Sequence, residues 1–127
     1  MNLALWICAG LLAVVLLTGG VGKLIVPQKK MAAMRGAGWT ADVSAGFLKV
    51  LGVIEVLGAV GLVLPAVTGI APVLVPVAAV GVVVLMVGAM VTHSRRGEVI
   101  PAVANLVYLA LAAFVAWGRF GPESFIG

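Results

Sequence analysis

Four apolar runs, at 3–22, 47–64, 73–92 and 99–118, constrain this chain more than any other feature. Each is about 18–20 residues long, close to the ~20 needed to cross a ~30 Å hydrocarbon layer at 1.5 Å per residue. Of the 127 residues, 64% are hydrophobic and only 9% charged, and the mean hydropathy is +1.30. A soluble domain this small exposes too much of its surface to hide that much apolar area, so its solvent must be lipid. In lipid the backbone has to satisfy its own hydrogen bonds, and continuous runs without period-2 alternation choose helix over barrel. The expected fold is all-α: an integral membrane bundle of four transmembrane helices at approximately 3–26, 46–64, 72–93 and 99–118. It forms one domain over 1–127, with one longer cytoplasmic loop between the first and second helices.

The first run is expected to be retained rather than cleaved as a signal peptide. No Lys or Arg precedes Trp6, and the apolar stretch is longer than a usual h-region and continues into Lys23. A single cysteine, Cys8, excludes an internal disulfide, and with one histidine there is no His/Cys cluster for a metal. Seventeen glycines spread over the spans are packing residues, not a nucleotide motif.

Charge orients the chain. Lys23, Lys29, Lys30, Arg35, Lys49, Arg95 and Arg96 fall at loops one and three, leaving only Arg119 of the 8 basic residues on the other side. The positive-inside rule then predicts a multi-pass protein of the cytoplasmic (inner) membrane, with loops one and three cytoplasmic and both termini outside. The net charge of +4 is a topology signal, and no nucleic-acid partner is expected. Trp6 and Trp117 fall at the outer boundary and Trp39 at the inner one, where amphipathic rings settle. Pro65, Pro72 and Pro76 bracket a short outer turn, and Pro76 suits a first helical turn or a mild kink. In loop one, 29–35 fits either a short surface-lying helix ended by Gly36 and Gly38 or an irregular cationic loop. Asp42 or Ser44 would cap the second helix.

Glu55 is the candidate centre of function. A carboxylate at the middle of a membrane-spanning helix costs roughly 2.5–3.5 kcal/mol and usually faces inward toward a partner. Its helical face carries Leu48, Leu51, Gly52, Gly58, Ala59 and Leu62, whose small members permit close helix approach. Lys23 shares a face with Leu16, Gly19 and Gly20. Asn105 and Tyr108 share a stripe with Glu98, Pro101, Ala102, Leu109 and Ala112, and His93 lies with Met86, Ala89 and Met90. Counted from the cytoplasmic ends, Glu55 is about 14 Å deep, Asn105 about 8 Å and Lys23 about 6 Å. The expectation is one polar pocket in the inner leaflet, with Glu55 at its floor and Lys23, Asn105, His93 and Tyr108 around it. Each member also has an ordinary structural use. Lys23 and Lys49 serve as snorkelling anchors, Asn105 as an interhelical contact, Tyr108 as a lipid-facing ring and His93 as a loop-boundary residue. Glu55 itself would serve as a neutralised structural carboxyl.

Four stretches in order carry a resemblance: Gly19-Gly20-Val21-Gly22-Lys23-Leu24 before Pro27; Leu51-Gly52-Val53-Ile54-Glu55-Val56-Leu57-Gly58 continuing to Gly61 and Pro65; Met86-Val87-Gly88-Ala89 through Thr92-His93 to Arg95-Arg96-Gly97-Glu98; and Asn105-Leu106 through to Trp117-Gly118-Arg119-Phe120. Together they resemble DoxX-like membrane proteins. The resemblance implies a four-helix membrane protein associated with redox or sulfur metabolism, the family name coming from a subunit of a thiosulfate:quinone oxidoreductase. It transfers no catalytic residues.

The expected function is therefore a redox- or quinone-linked accessory subunit, or a binder of a small hydrophobic ligand, and not an enzyme on its own. No resident cofactor is predicted, a quinone being the ligand the resemblance admits. Expected partners are membrane lipids and membrane redox proteins, and the glycine seams admit a homo-oligomer. One alternative is a proton-coupled transporter of lipid-like or cationic compounds. Small multidrug resistance proteins resemble this chain in having four short helices and one buried glutamate, but theirs lies in helix one. A purely structural assembly partner is the other.

Overall fold

The computed structural model describes residues 1–34 and 37–124. Arg35, counted among the loop cations, and Gly36, expected to end a helix, lie outside the described residues. Helices α1 (Asn2–Ile25), α3 (Ala45–Thr68), α4 (Leu74–Arg95) and α5 (Val99–Phe120) are long and apolar enough to cross a membrane. The short α2 (Gln28–Ala32) and a 3-10 turn (Gly38–Asp42) occupy the connection from α1 to α3. No strand occurs among the described residues.

The helices close a ring in which α1 packs on α3, α3 on α4, α4 on α5, and α5 back on α1. Thus α3 and α5 take opposite corners, as do α1 and α4. Leu12, Leu16, Leu62, Val82, Ala112 and Val115 fill the middle. Only 11–28% of each apolar window is buried in the bundle, so most apolar side chains face outward. This inverts the pattern of a soluble bundle, and a lipid solvent accounts for it. Small residues set the closest approaches: a Cβ added to Gly61 of α3 would lie 2.9 Å from Ala78 Cβ of α4.

The helix ends follow local chemistry. Ser44 caps α3, its Oγ accepting from Phe47 N at 3.1 Å, while Asp42 is drawn away to Arg96. The second span does not end at Leu64. It runs through Pro65 to Thr68 and stops at Gly69, whose φ of 72° closes the helix in the left-handed region. Pro65 is buried within α3, and the residue four positions earlier is Gly61, which leaves room at the broken hydrogen bond. Pro76 sits in the first turn of α4, where a missing N–H costs nothing. Loop one is neither one longer helix nor wholly irregular: α2 stops at Ala32 and the 3-10 turn follows.

Candidate functional site

The site begins with two glycines. A Cβ on Gly20 would lie 2.8 Å from the Gly52 carbonyl oxygen, and one on Gly52 would lie 2.8 Å from that of Gly20. Only bare backbone allows α1 and α3 to cross so closely. Side chains on a helix lean toward its N-terminus. Because the helices are antiparallel, Lys23 leans into the span and Glu55 leans back toward the loop-one end. Their directions converge.

Lys23 Nζ lies 2.8 Å from Glu55 Oε2, and the two side chains are 13% and 15% exposed. The contact is charge against charge. Oε2 is sealed from solvent, with the ammonium as its close neighbour. Gly19 borders the pair: a Cβ there would sit 3.6 Å from Glu55 Oε1 and 3.7 Å from Lys23 Nζ. On another side the ammonium stands 5.8 Å from the centre of the Trp39 ring, a cation–π distance.

Loop one holds that ring in place. Gln28 Nε2 donates to the Thr40 and Val43 carbonyls at 2.8 and 2.7 Å, and Thr40 Oγ1 donates to the Ala37 carbonyl at 2.7 Å. Arg96, at the end of α4, reaches Asp42 Oδ2 at 2.7 Å and Glu98 Oε1 at 3.5 Å. A Cβ on Gly38 would meet the Arg96 guanidinium at 2.7 Å. The 3-10 turn is therefore fastened to both α2 and α4.

The other sequence candidates do not join Glu55. His93 is buried, with its Nδ1 2.8 Å from Glu98 Oε1, and belongs to the Arg96 cluster at the α4–α5 turn. Asn105 is buried on α5, and its side chain makes no hydrogen bond among the described residues. Tyr108 is half-buried against the apolar core. No hydrogen bond or ion pair links Glu55 to Asn105, His93 or Tyr108: Asn105 and Tyr108 lie on α5, at the opposite corner of the ring from α3, and His93, in the last turn of α4, is held by Glu98. The single expected pocket resolves into the α1–α3 pair and a separate cluster of His93, Arg96, Glu98 and Asp42. A groove beside that second cluster, between α4 and α5, is lined by Met90, Ser94, Glu98, Ala102 and Leu106.

The family model of the DoxX-like family matches residues 7–115. This chain belongs to the DoxX-like family. No curated protein and no solved structure matches it. The matched span contains Lys23, Glu55, His93 and Asn105, so both polar clusters of this DoxX-like membrane protein lie inside the family's own region. Sequence alone places Trp39 as an interfacial anchor and does not pair it with Lys23. Nor does it single out Gln28 and Thr40, which fasten the turn carrying it. The only sequence signal for them is a polar residue following Pro27 and a threonine beside a tryptophan, which is too common to single out.

An ammonium and a carboxylate oxygen side by side, within apolar spans, suit the polar head of a membrane-dissolved molecule. Lysine has three donors and an ionised carboxylate only acceptors, so the pair offers both kinds of bond.

Proposed function

We propose that this DoxX-like protein is a redox- or quinone-linked accessory subunit that holds a small hydrophobic molecule by its polar head at the Lys23–Glu55 pair. One observation carries the reading: a Lys23–Glu55 pair within the apolar spans whose second carboxylate oxygen, Oε1, has no hydrogen bond among the described residues. Such a group gains from a ligand that completes its bonding. The bundle would supply the apolar surroundings for the ligand's tail, and the redox partner would supply the chemistry. The basic end, with Lys29, Lys30, Lys49, Arg95 and Arg96, is placed on the cytoplasmic side of the inner membrane by this proposal.

Titration of the protein in lipid nanodiscs with decyl-ubiquinone, followed by tryptophan quenching, tests it. Trp39 beside Lys23 makes the site its own reporter. Saturable binding that weakens at least tenfold in Glu55→Gln is expected. Absence of saturable binding, or equal affinity in the variant, overturns the proposal.

The short ion pair also favours a second reading, in which Lys23 and Glu55 only fix the register of α1 on α3. Under that reading Glu55→Gln lowers stability in detergent while quinone affinity, measured on folded protein, stays unchanged.

A further inference from the structure

We infer that the Lys23–Glu55 pair takes the hydroxyl group of an apolar, membrane-dissolved molecule, which enters sideways from the bilayer through the notch left by Gly19. The inference rests on the reading of this pair as a ligand site and adds the functional group and the route. The two carboxylate oxygens of Glu55 differ. Oε2 faces Lys23 and is sealed, whereas Oε1 keeps accessible surface and has no hydrogen bond among the described residues. It is Oε1 that faces the missing side chain of Gly19, at 3.6 Å from where a Cβ would stand, with Lys23 Nζ 3.7 Å from the same point. The notch thus brings an acceptor and a cationic donor to one place.

Gly19 lies six residues inside the end of α1 at Ile25, within the apolar span, and is itself partly exposed. On the same helical face Val15 and Gly22 are partly exposed as well. The notch therefore opens on the lipid-facing side, while the Trp39 ring stands over the ammonium on the loop side.

A hydroxyl both donates and accepts, so it can give its proton to Oε1 and receive a bond from Nζ at once. A ketone or an ether only accepts and leaves Oε1 unsatisfied. Bonds to charged groups are the stronger ones, and a buried site rejects a ligand that leaves its polar groups unmatched. The ligand class is accordingly an apolar molecule ending in a phenolic or alcoholic hydroxyl, a quinol being favoured over its quinone, which can take only the bond from Nζ.

Two probes that differ in this hydrogen, replaced by a methyl group in the second, decide the matter: 4-octylphenol and 4-octylanisole, titrated calorimetrically into protein nanodiscs against empty nanodiscs. Wild type is expected to bind the phenol at least tenfold more tightly than the ether. In Gly19→Val the added Cβ fits at ordinary contact distance while the γ-methyls cover Oε1, and the phenol should fall to the affinity of the ether. Equal affinities in wild type overturn the inference, as does an undiminished preference in Gly19→Val. Should that variant not fold, Gly19→Ala, whose Cβ meets nothing closer than 3.6 Å, must show a reduced preference. Decyl-ubiquinone affinity that depends on Glu55, with phenol and ether bound alike, sinks the hydroxyl inference alone. Failure of all three probes to bind sinks the inference and the proposed function together.

Discussion

Lys23 on α1 and Glu55 on α3 meet at 2.8 Å although their helix positions suggest different depths. Counted along the two helices, they differ by about 8 Å in depth. The lysine stem leans inward and the glutamate leans outward, so side-chain direction closes the gap. Gly20 and Gly52 bring the backbones close enough for the meeting to hold. The pair depends on the crossing, and the crossing on two absent side chains.

Gly20→Val and Gly52→Val should therefore destabilise the bundle, by about 1–3 kcal/mol or more, since each places a side chain against a carbonyl oxygen of the neighbouring helix. Gly10→Ala and Gly81→Ala are the controls, because nothing lies within 4 Å of a Cβ at either site. Denaturation in mixed detergent micelles compares the four. Equal loss across them would show that the crossing is not closely packed.

Arg96→Ala should release the 3-10 turn while leaving the bundle folded. The Arg96–Asp42 pair is partly exposed, and pairs of that kind contribute roughly 0–1 kcal/mol. Up to about fivefold faster tryptic cleavage at Lys29 and Lys30 is the expected sign, with the emission of Trp39 shifted to the red and the unfolding midpoint little changed. A loop equally resistant in the variant would contradict the fastening assigned to Arg96.

Arg119 performs a similar task at the opposite end. Its Nη1 donates to Asn2 Oδ1 at 2.8 Å and to the Glu123 carbonyl at 3.0 Å, and the guanidinium lies 5.7 Å from the centre of the Trp6 ring. Hydrogen bonds to charged groups are worth about 1.5–3 kcal/mol. Arg119→Ala should accelerate hydrogen exchange in the first two turns of α1 and leave α3 unaffected. Exchange unchanged at Leu5 and Trp6 would contradict this.

How far the sequence reaches can be seen at particular residues. Length and hydropathy alone place the four spans, because lipid leaves the backbone few choices. The faces of α3 follow from spacing, with Leu48, Gly52, Ala59 and Leu62 all buried. Pro65 misled the boundary of α3, since a buried proline after a glycine is tolerated where an exposed one would stop a helix. Glu55 and Lys23 were legible as costly residues that need partners. That Lys23 alone of the candidates meets Glu55, and that Asn105 stands across the ring, were not. Facial spacing says which side of each helix turns inward, but not which helices are neighbours around the ring. That order depends on long-range packing. Trp39 escaped for a related reason, its position being set by Gln28, Thr40 and Arg96 from three separate segments.

A double-mutant cycle on Lys23→Met and Glu55→Leu, with unfolding free energy measured for all four proteins in one detergent system, tests the central claim most directly. If the two residues act as a unit across α1 and α3, each single variant strands a buried charge and loses about 3–5 kcal/mol, while the double variant recovers much of that loss. The coupling energy should then be at least about 3 kcal/mol, because the double variant loses less than either single one. Additive losses with no coupling would contradict the pair, and with it the ligand site built upon it.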